Sequence, residues 1–416
     1  MRFAYQIFVF LFQFGLRLAS LSNPKAKRWV HGRKNWRKQL KDQLRDKRNC
    51  IWVHCASLGE FEQARPLIEK IKKEHPSYTI VLSFFSPSGY EQRKNYEYAD
   101  VVTYLPMDFK KNARDFIETI NPQFVVFIKY EYWFNYLKEL ERKQIPTFLL
   151  SGIFWKELFF FKTYGKWFAR QLNAFEHFFV QNKTSAKLLK SIGYNNNTVC
   201  GDSRFDRVIE LPKENFQPQA LEEFAPSKNA IIFGSSWDKE NEFAVKLALA
   251  LPNQKIIIAQ HEIDTTKINK FKKRFSNAVL WSEIEAESAL KSINETQVLI
   301  IDSIGMLSKI YRYGRIAVIG GGFGAGIHNT LEAAVYGCPL LFGPNYQRFQ
   351  EAIDLIELRA AFSITDYNEF EAKVQHLINK PDFYQKASAA AEKYVNQNSG
   401  ATESIITYLR NKKILT

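Results

Sequence analysis

Short apolar runs alternating with helical patterns occur in two separate series along this 416-residue chain, and that rhythm admits few architectures. Ile51–Cys55 reads as a strand, followed by a helix through Gln63 to Lys72. Thr79–Phe84 reads as the next strand, with a loop at Ser86-Pro87-Ser88-Gly89. Val101–Tyr104, Phe124–Ile128, Thr147–Leu150 and Phe178–Val180 continue the first series. The second starts at Ala230–Phe233 and runs through Lys255–Ala259, Val298–Ile301, Ile316–Ile319 and Pro339–Phe342. Such β-α-β order predicts parallel sheets with helices on both faces. The polar stretch Leu211–Asn229, with Pro212, Pro218 and Pro226, separates the series. A chain of this length also exceeds what one core organises. We therefore expect two α/β domains facing a central cleft, residues 49–211 and 229–381, joined by a linker at 212–228. The segment 382–416 is expected to pack a helix back onto the first domain.

The net charge of +15 suggests a polyanion partner until it is located. Residues 1–48 carry 13 Lys/Arg against 2 acids, which leaves only +4 for the other 368 residues. That distribution argues against an extended nucleic-acid groove. Phe3 to Leu18 is strongly apolar but shorter than the ~20 residues of a comfortable membrane span. Lys25, Lys27, Arg28, Arg33, Lys34, Arg37, Lys38 and Lys41 follow, with Trp29 and Trp36 among them. Apolar helix, basic collar and interfacial tryptophan read as an anchor with its basic side on the cytoplasmic face. On this reading 1–22 is a monotopic or short-span anchor helix and 23–48 a juxtamembrane segment that attracts membrane lipids. No small-residue cleavage site marks a signal peptide. An ordinary buried first helix stays open as the alternative. Cys50, Cys55, Cys200 and Cys338 form no CxxC pair and the histidines no HExxH pattern, so no metal site is expected.

The stretch from Arg315 to Gln347 carries the strongest ligand signal. An apolar strand runs into Gly320, Gly321 and Gly322, and a helix is expected from near His328–Asn329 to Gly337. Glycines at a strand's carboxyl end let a ligand approach the backbone, and a helix N-terminus favours a phosphate. Ser235 and Ser236 after the strand Ala230–Phe233 form another phosphate-facing turn, and Gln260 and His261 follow the strand Lys255–Ala259. Gly320-x-Gly322-x-x-Ala325 matches a dinucleotide fingerprint only loosely. No acid lies about 20 residues on, which argues against a nicotinamide dehydrogenase.

Several segments, taken in order, resemble one family. Trp52-Val53-His54-Cys55-Ala56-Ser57-Leu58-Gly59-Glu60, then Ala64-Arg65-Pro66-Leu67-Ile68, is similar to the opening motif of the 3-deoxy-D-manno-octulosonic acid (Kdo) transferases. Ser83 to Gly89 resembles their T-x-T-P-x-G loop, Tyr104-Leu105-Pro106-Met107-Asp108 their Y-L-P-x-D segment, and Lys129-Tyr130-Glu131-Tyr132-Trp133 their E-x-E-L-W segment. Gln181, Gly201-Asp202-Ser203-Arg204-Phe205-Asp206 and Gly320–Pro344 follow in the family's order. The resemblance implies a GT-B glycosyltransferase, two Rossmann-like doubly wound domains with an N-terminal membrane-anchoring helix. It also implies an inner-membrane location with the catalytic domains facing the cytoplasm. The chain departs from the pattern in three places. Lys129 stands for the first acid of E-x-E, Gln260 for an arginine before His261, and no arginine precedes His328.

Transfer from an activated sugar needs a base for the acceptor hydroxyl, stabilisation of the leaving phosphate, and an anomeric carbon held between them. Glu60, with Ser57 and Gly59 just before it, sits at a strand's carboxyl end. The residues alone leave it either a general base or an acid satisfying a helix dipole; the resemblance implies the base. Glu131 either orients a substrate or holds a structural partner. Asn329 is a ligand group or a helix cap. Glu332 resembles the family's nucleotide-ribose acceptor and is also an ordinary first-turn acid. His261 is a phosphate ligand or a satisfied loop residue. By resemblance, the donor is CMP-Kdo and the acceptor a lipid A precursor, with inversion, no cofactor and no protein-held metal. A GT-B transferase using another nucleotide sugar, and an inactive membrane-bound sugar-lipid binder, are the competing readings.

Overall fold

The computed structural model describes residues 2–285 and 293–416. Its contacts divide into two units, Met1–Arg207 with Ser399–Thr416, and Val208–Asn398. In the first, β1 (Cys50–Cys55), β2 (Thr79–Phe84), β3 (Val101–Tyr104), β4 (Phe124–Ile128), β5 (Thr147–Gly152), β6 (His177–Val180) and β7 (Asn197–Val199) form one sheet ordered β3-β2-β1-β4-β5-β6-β7. Every pairing is parallel. Because strand side chains alternate between faces, β1 feeds two cores. Ile51, Val53 and Cys55 join one, and Cys50 and Trp52 join the other.

The helix Leu58–Glu74 buries Phe61, Ala64, Leu67, Ile68 and Ile71, a three-and-four spacing that turns one stripe to the sheet. On the same core sits the helix Ala401–Asn411, through Ile405, Ile406 and Leu409. Asp206 fixes where that helix starts, since its two carboxylate oxygens accept the N–H groups of Gly400 (2.5 Å) and Thr402 (2.6 Å).

The first helix, Arg2–Ala19, is pinned along one face. The Tyr5 hydroxyl donates to Asp108 Oδ2 at 2.5 Å, and Val9 packs with Trp29 and Met107. Its opposite face leaves Phe3, Phe8, Phe10, Leu11, Phe14 and Leu18 exposed. No helix among the described residues is long and apolar enough to cross a membrane. The expected interfacial tryptophans are corrected: Trp29 and Trp36 are both buried in the body of this unit. Arg33 likewise faces inward. Its guanidinium donates to the carbonyls of Leu105 (2.8 Å) and Phe85 (2.7 Å) and lies 3.7 Å from the centre of the Trp29 ring. A large ring gains more from burial than from an interface when a neighbouring core offers it room.

The second unit is built alike. β8 (Ala230–Ser236), β9 (Ile256–Gln260), β10 (Ala278–Leu280), β11 (Val298–Ile301), β12 (Gly314–Ile319), β13 (Leu340–Phe342) and β14 (Ala361–Ser363) are ordered β10-β11-β9-β8-β12-β13-β14. All of these pairings are parallel. The stretch 212–228 is not a free linker. It carries the helix Gln219–Phe224, and the Arg312 guanidinium donates to the carbonyls of Pro212 (3.0 Å), Glu214 (2.7 Å) and Phe216 (3.1 Å). The crossing back to the first unit falls at Ser399 rather than at 382. The helix Pro381–Asn398 stays on the second unit because Ala387, Ala391 and Val395 give it a buried stripe there.

Candidate active site

In open parallel sheets ligands bind beyond the strands' carboxyl ends where the strand order reverses. In the first unit that point lies between β1 and β4. The segment after β1 carries Ser57, Gly59 and Glu60, and the segment after β4 carries Lys129 and Glu131. Both acids called from sequence therefore flank the same reversal. Glu60 is nearly buried in the first turn of the helix Leu58–Glu74. Its Oε2 accepts the Ser57 N–H at 3.1 Å and the Ser57 hydroxyl at 2.5 Å, so the capping role is realised. Gly59 is not required by packing, because a Cβ there would meet only Ser57 Oγ at 3.9 Å.

Glu131 is held more elaborately. Its Oε2 accepts the Trp133 indole N–H at 2.7 Å and lies 3.3 Å from His54 Nε2. The other ring nitrogen of His54 lies 2.8 Å from Ser83 Oγ, which also accepts the Trp52 indole N–H at 2.8 Å. None of His54, Ser83 and Trp133 was assigned a role from sequence. The available signal was two polar residues inside apolar strands, and His54 and Ser83 prove to be register partners across β1 and β2. Lys129 adopts φ 69°, the left-handed region, and places its ammonium 5.1 Å from the centre of the Tyr130 ring. Such strain in a non-glycine residue concentrates at working sites.

In the second unit the order reverses between β8 and β12. Ser235, Ser236 and Trp237 follow the first of these, and Gly320, Gly321 and Gly322 the second. The glycine loop differs from expectation. The Gly320 N–H donates to the Gly234 carbonyl and the Gly321 N–H to Glu240 Oε1, both at 2.9 Å, so neither is available to a phosphate. The glycines answer to their own backbone neighbours. A Cβ on Gly320 would lie 2.0 Å from the Ser235 carbonyl oxygen, and one on Gly322 would lie 2.5 Å from the Gly343 nitrogen. Gly321 takes φ +90°.

Glu240 went unnoticed in the sequence. It is buried, its other oxygen accepts the Trp237 N–H at 3.1 Å, and burial raises its carboxyl pKa. The expected helix from 328 also shrinks to Leu331–Ala334. Asn329 bridges into it, accepting the Leu331 N–H at 3.1 Å and donating to Glu332 Oε1 at 3.0 Å.

Around this loop three rings stack. The His261 ring lies 4.6 Å from the Trp237 ring and 4.4 Å from the His328 ring, nearly parallel to both. The Trp237 indole N–H donates to His328 Nε2 at 3.1 Å, which leaves the proton of the neutral ring on Nδ1. Burial and the neighbouring His261 pull the His328 pKa down to about 4. Ser235 adopts φ 51°, and the buried Ser236 hydroxyl donates to Asn241 Oδ1 at 2.8 Å. Gln260 lines a cavity of about 300 Å³ with Ser236, Trp237, Lys270 and Arg274. Among the described residues, no group of three or more His, Cys, Asp or Glu is placed to hold a metal ion.

Comparison with known proteins shows what this chain is similar to. Residues 30–207 match the family model described as 3-Deoxy-D-manno-octulosonic-acid transferase (kdotransferase). A 3-deoxy-D-manno-octulosonic acid transferase of Aquifex aeolicus is 24% identical over 350 residues, 82% of this chain and 89% of the relative. One from Haemophilus influenzae is 25% identical, covering 86% of each chain. Among solved structures, a putative UDP-N-acetylglucosamine 2-epimerase from Listeria monocytogenes superposes with a TM-score of 0.59 at 12% identity, over 89% of this chain and 98% of that one. That likeness bears on the fold alone.

Proposed function

We propose, from its similarity to the Kdo transferases, that this chain moves Kdo from CMP-Kdo to a lipid A precursor in lipopolysaccharide assembly. The observation that carries the reading is the pair of acids, Glu60 and Glu131, flanking the strand reversal of the first unit. Glu60 takes the proton of an acceptor hydroxyl as that oxygen attacks the anomeric carbon. The bond from that carbon to the phosphate oxygen breaks, CMP leaves with the electron pair, and configuration inverts. One Glu60 oxygen is anchored by Ser57, which keeps the carboxylate in place while its other oxygen receives the proton.

The second unit serves the donor. His328 is neutral at physiological pH and offers a neutral Nδ1–H rather than a cation. The proposed donor phosphate is therefore met by hydrogen bonds and nearby lysine or arginine rather than by imidazolium. The exposed apolar face of the helix Arg2–Ala19, next to the exposed Lys25, Lys27 and Arg28, suits docking onto an anionic membrane surface facing the cytoplasm.

The test is to incubate purified protein with CMP-Kdo and lipid A precursor and weigh the lipid by mass spectrometry. A gain of one or more Kdo residues is expected. A lipid modified only when other nucleotide sugars are supplied favours a different donor, a reading that Gln260 and the missing arginine before His328 keep in play. A lipid unchanged under every donor overturns both.

A further inference from the structure

We infer that Tyr5 and Phe12, on the first helix, are positioning residues for residues 129–133, the segment that carries Glu131. The inference rests on the transferase reading above for what Glu131 does, but not for how its segment is held. That segment runs directly into the helix Phe134–Arg142, whose N-cap residue, Trp133, makes no side-chain capping bond. The first N–H groups of a helix have no partner inside it and must be satisfied from elsewhere. Here residues distant in sequence meet them. Asp108 Oδ2 accepts the Asn135 N–H at 3.1 Å and Oδ1 the Tyr136 N–H at 3.2 Å, while the Phe134 N–H faces the Tyr5 oxygen. The Tyr5 hydroxyl donates in turn to Asp108 Oδ2 at 2.5 Å, and its ring meets the Phe134 ring edge-on at 4.8 Å. Beside it, the Gln6 side-chain amide donates to Asn135 Oδ1 at 3.1 Å.

A second route starts at Phe12, two turns further along the same helix face. The Phe12 ring stacks on Phe85 at 6.3 Å, and the Phe85 ring lies 4.7 Å from that of Trp133. The Trp133 indole N–H is shared between Glu131 Oε2 at 2.7 Å and His54 Nε2 at 3.1 Å. One helix thus reaches the Glu131 segment at Trp133 and again at the turn that follows it. A working carboxylate on a loop needs such support from packed neighbours. The same helix exposes Phe3, Phe10 and Leu11, so the surface proposed to meet the membrane and the seat of Glu131 are built on one element.

Two measurements on the full chain test this. In protein labelled with 5-fluorotryptophan, the Trp133 fluorine signal, identified by its loss in Trp133→Phe, should shift in Tyr5→Phe and in Phe12→Ala. It should stay in place in Ile405→Val, which trims the other core of the same unit. If either helix variant leaves that signal unmoved, the inference is overturned. No turnover is needed to see it, so the outcome is distinct from failure of the transferase reading. The second measurement is transfer to acceptor dispersed in detergent, so that membrane binding does not enter. Tyr5→Phe should lose at least about fivefold in kcat with donor KM unchanged, while Ile405→Val stays within about twofold of the parent. A kcat unaltered in Tyr5→Phe, or lowered as far in Ile405→Val, contradicts a positioning role.

Discussion

Oε2 of Glu60 accepts both the backbone N–H of Ser57, at 3.1 Å, and the Ser57 hydroxyl, at 2.5 Å. The two roles open for this acid in the sequence, helix cap and general base, are therefore physically compatible: one oxygen is anchored and the other is left to work. Replacing Ser57 by alanine removes the hydroxyl and keeps the N–H. Loss of about 1 kcal/mol of stability is expected, as for other caps, with a lower kcat as Glu60 gains freedom. Denaturant unfolding read beside turnover checks this, and a variant with unaltered kcat would disconnect the cap from the chemistry.

Two glycines called as site residues should behave oppositely. Gly59 has room for a methyl group, so Gly59→Ala should fold as well as the parent or better, by up to about 1 kcal/mol, since alanine is the better helix former. If substrate approaches that bare backbone, acceptor KM rises all the same. Gly320→Ala drives a Cβ to 2.0 Å from the Ser235 carbonyl oxygen and should cost about 3 kcal/mol or more. Thermal unfolding of the pair separates a ligand glycine from a packing glycine.

That contrast also marks what was legible in the sequence. β2, β3, β4 and β11 fall on their expected bounds because each is a buried apolar run with clear turn signals. β7, β10 and β14 escaped notice: each is a three-residue edge strand, too short for an apolar run to stand out. The glycine loop was found, but not that Gly320 and Gly321 turn their N–H groups inward, because a missing Cβ looks the same in sequence whether a phosphate or a neighbouring carbonyl needs the space. Glu240 reads as a first-turn acid of its helix, and its bond to the Gly321 N–H crosses 81 residues. Trp29 and Trp36 were taken for interfacial rings because basic neighbours suggest lipid; only the tertiary structure shows the core that takes them in.

Acid should weaken the first unit through His177. Burial lowers its pKa from 6.5 to about 4, with a smaller push from Lys412. Between those values the unfolded chain takes up a proton that the folded ring refuses, so stability falls as pH drops from 6.5 toward 4. Above 6.5 the group contributes no slope. In His177→Gln the loss between pH 7 and pH 5, read by urea unfolding, should be smaller than in the parent. An identical loss would mean that His177 titrates normally in the fold.

The first helix makes a separate prediction. Phe10 and Leu11 are 60% and 58% exposed, so substituting both with glutamate leaves the packing around Val9 intact. Co-sedimentation with anionic vesicles should fall at least about tenfold while the melting temperature holds, and parent binding should weaken with added salt. Undiminished binding in the double variant would assign the membrane contact to another surface.

The most direct test of the whole account is product formation by Glu60→Gln. The amide oxygen still accepts from Ser57, so the cap survives and melting should change by no more than a degree or two, about the effect of a few tenths of a kcal/mol. CMP should bind as it does to the parent. With CMP-Kdo and lipid A precursor supplied, turnover should drop by about 100-fold or more, since the amide cannot take the acceptor proton. A stable, CMP-binding Glu60→Gln protein that adds Kdo at the parent rate would contradict Glu60 as the base.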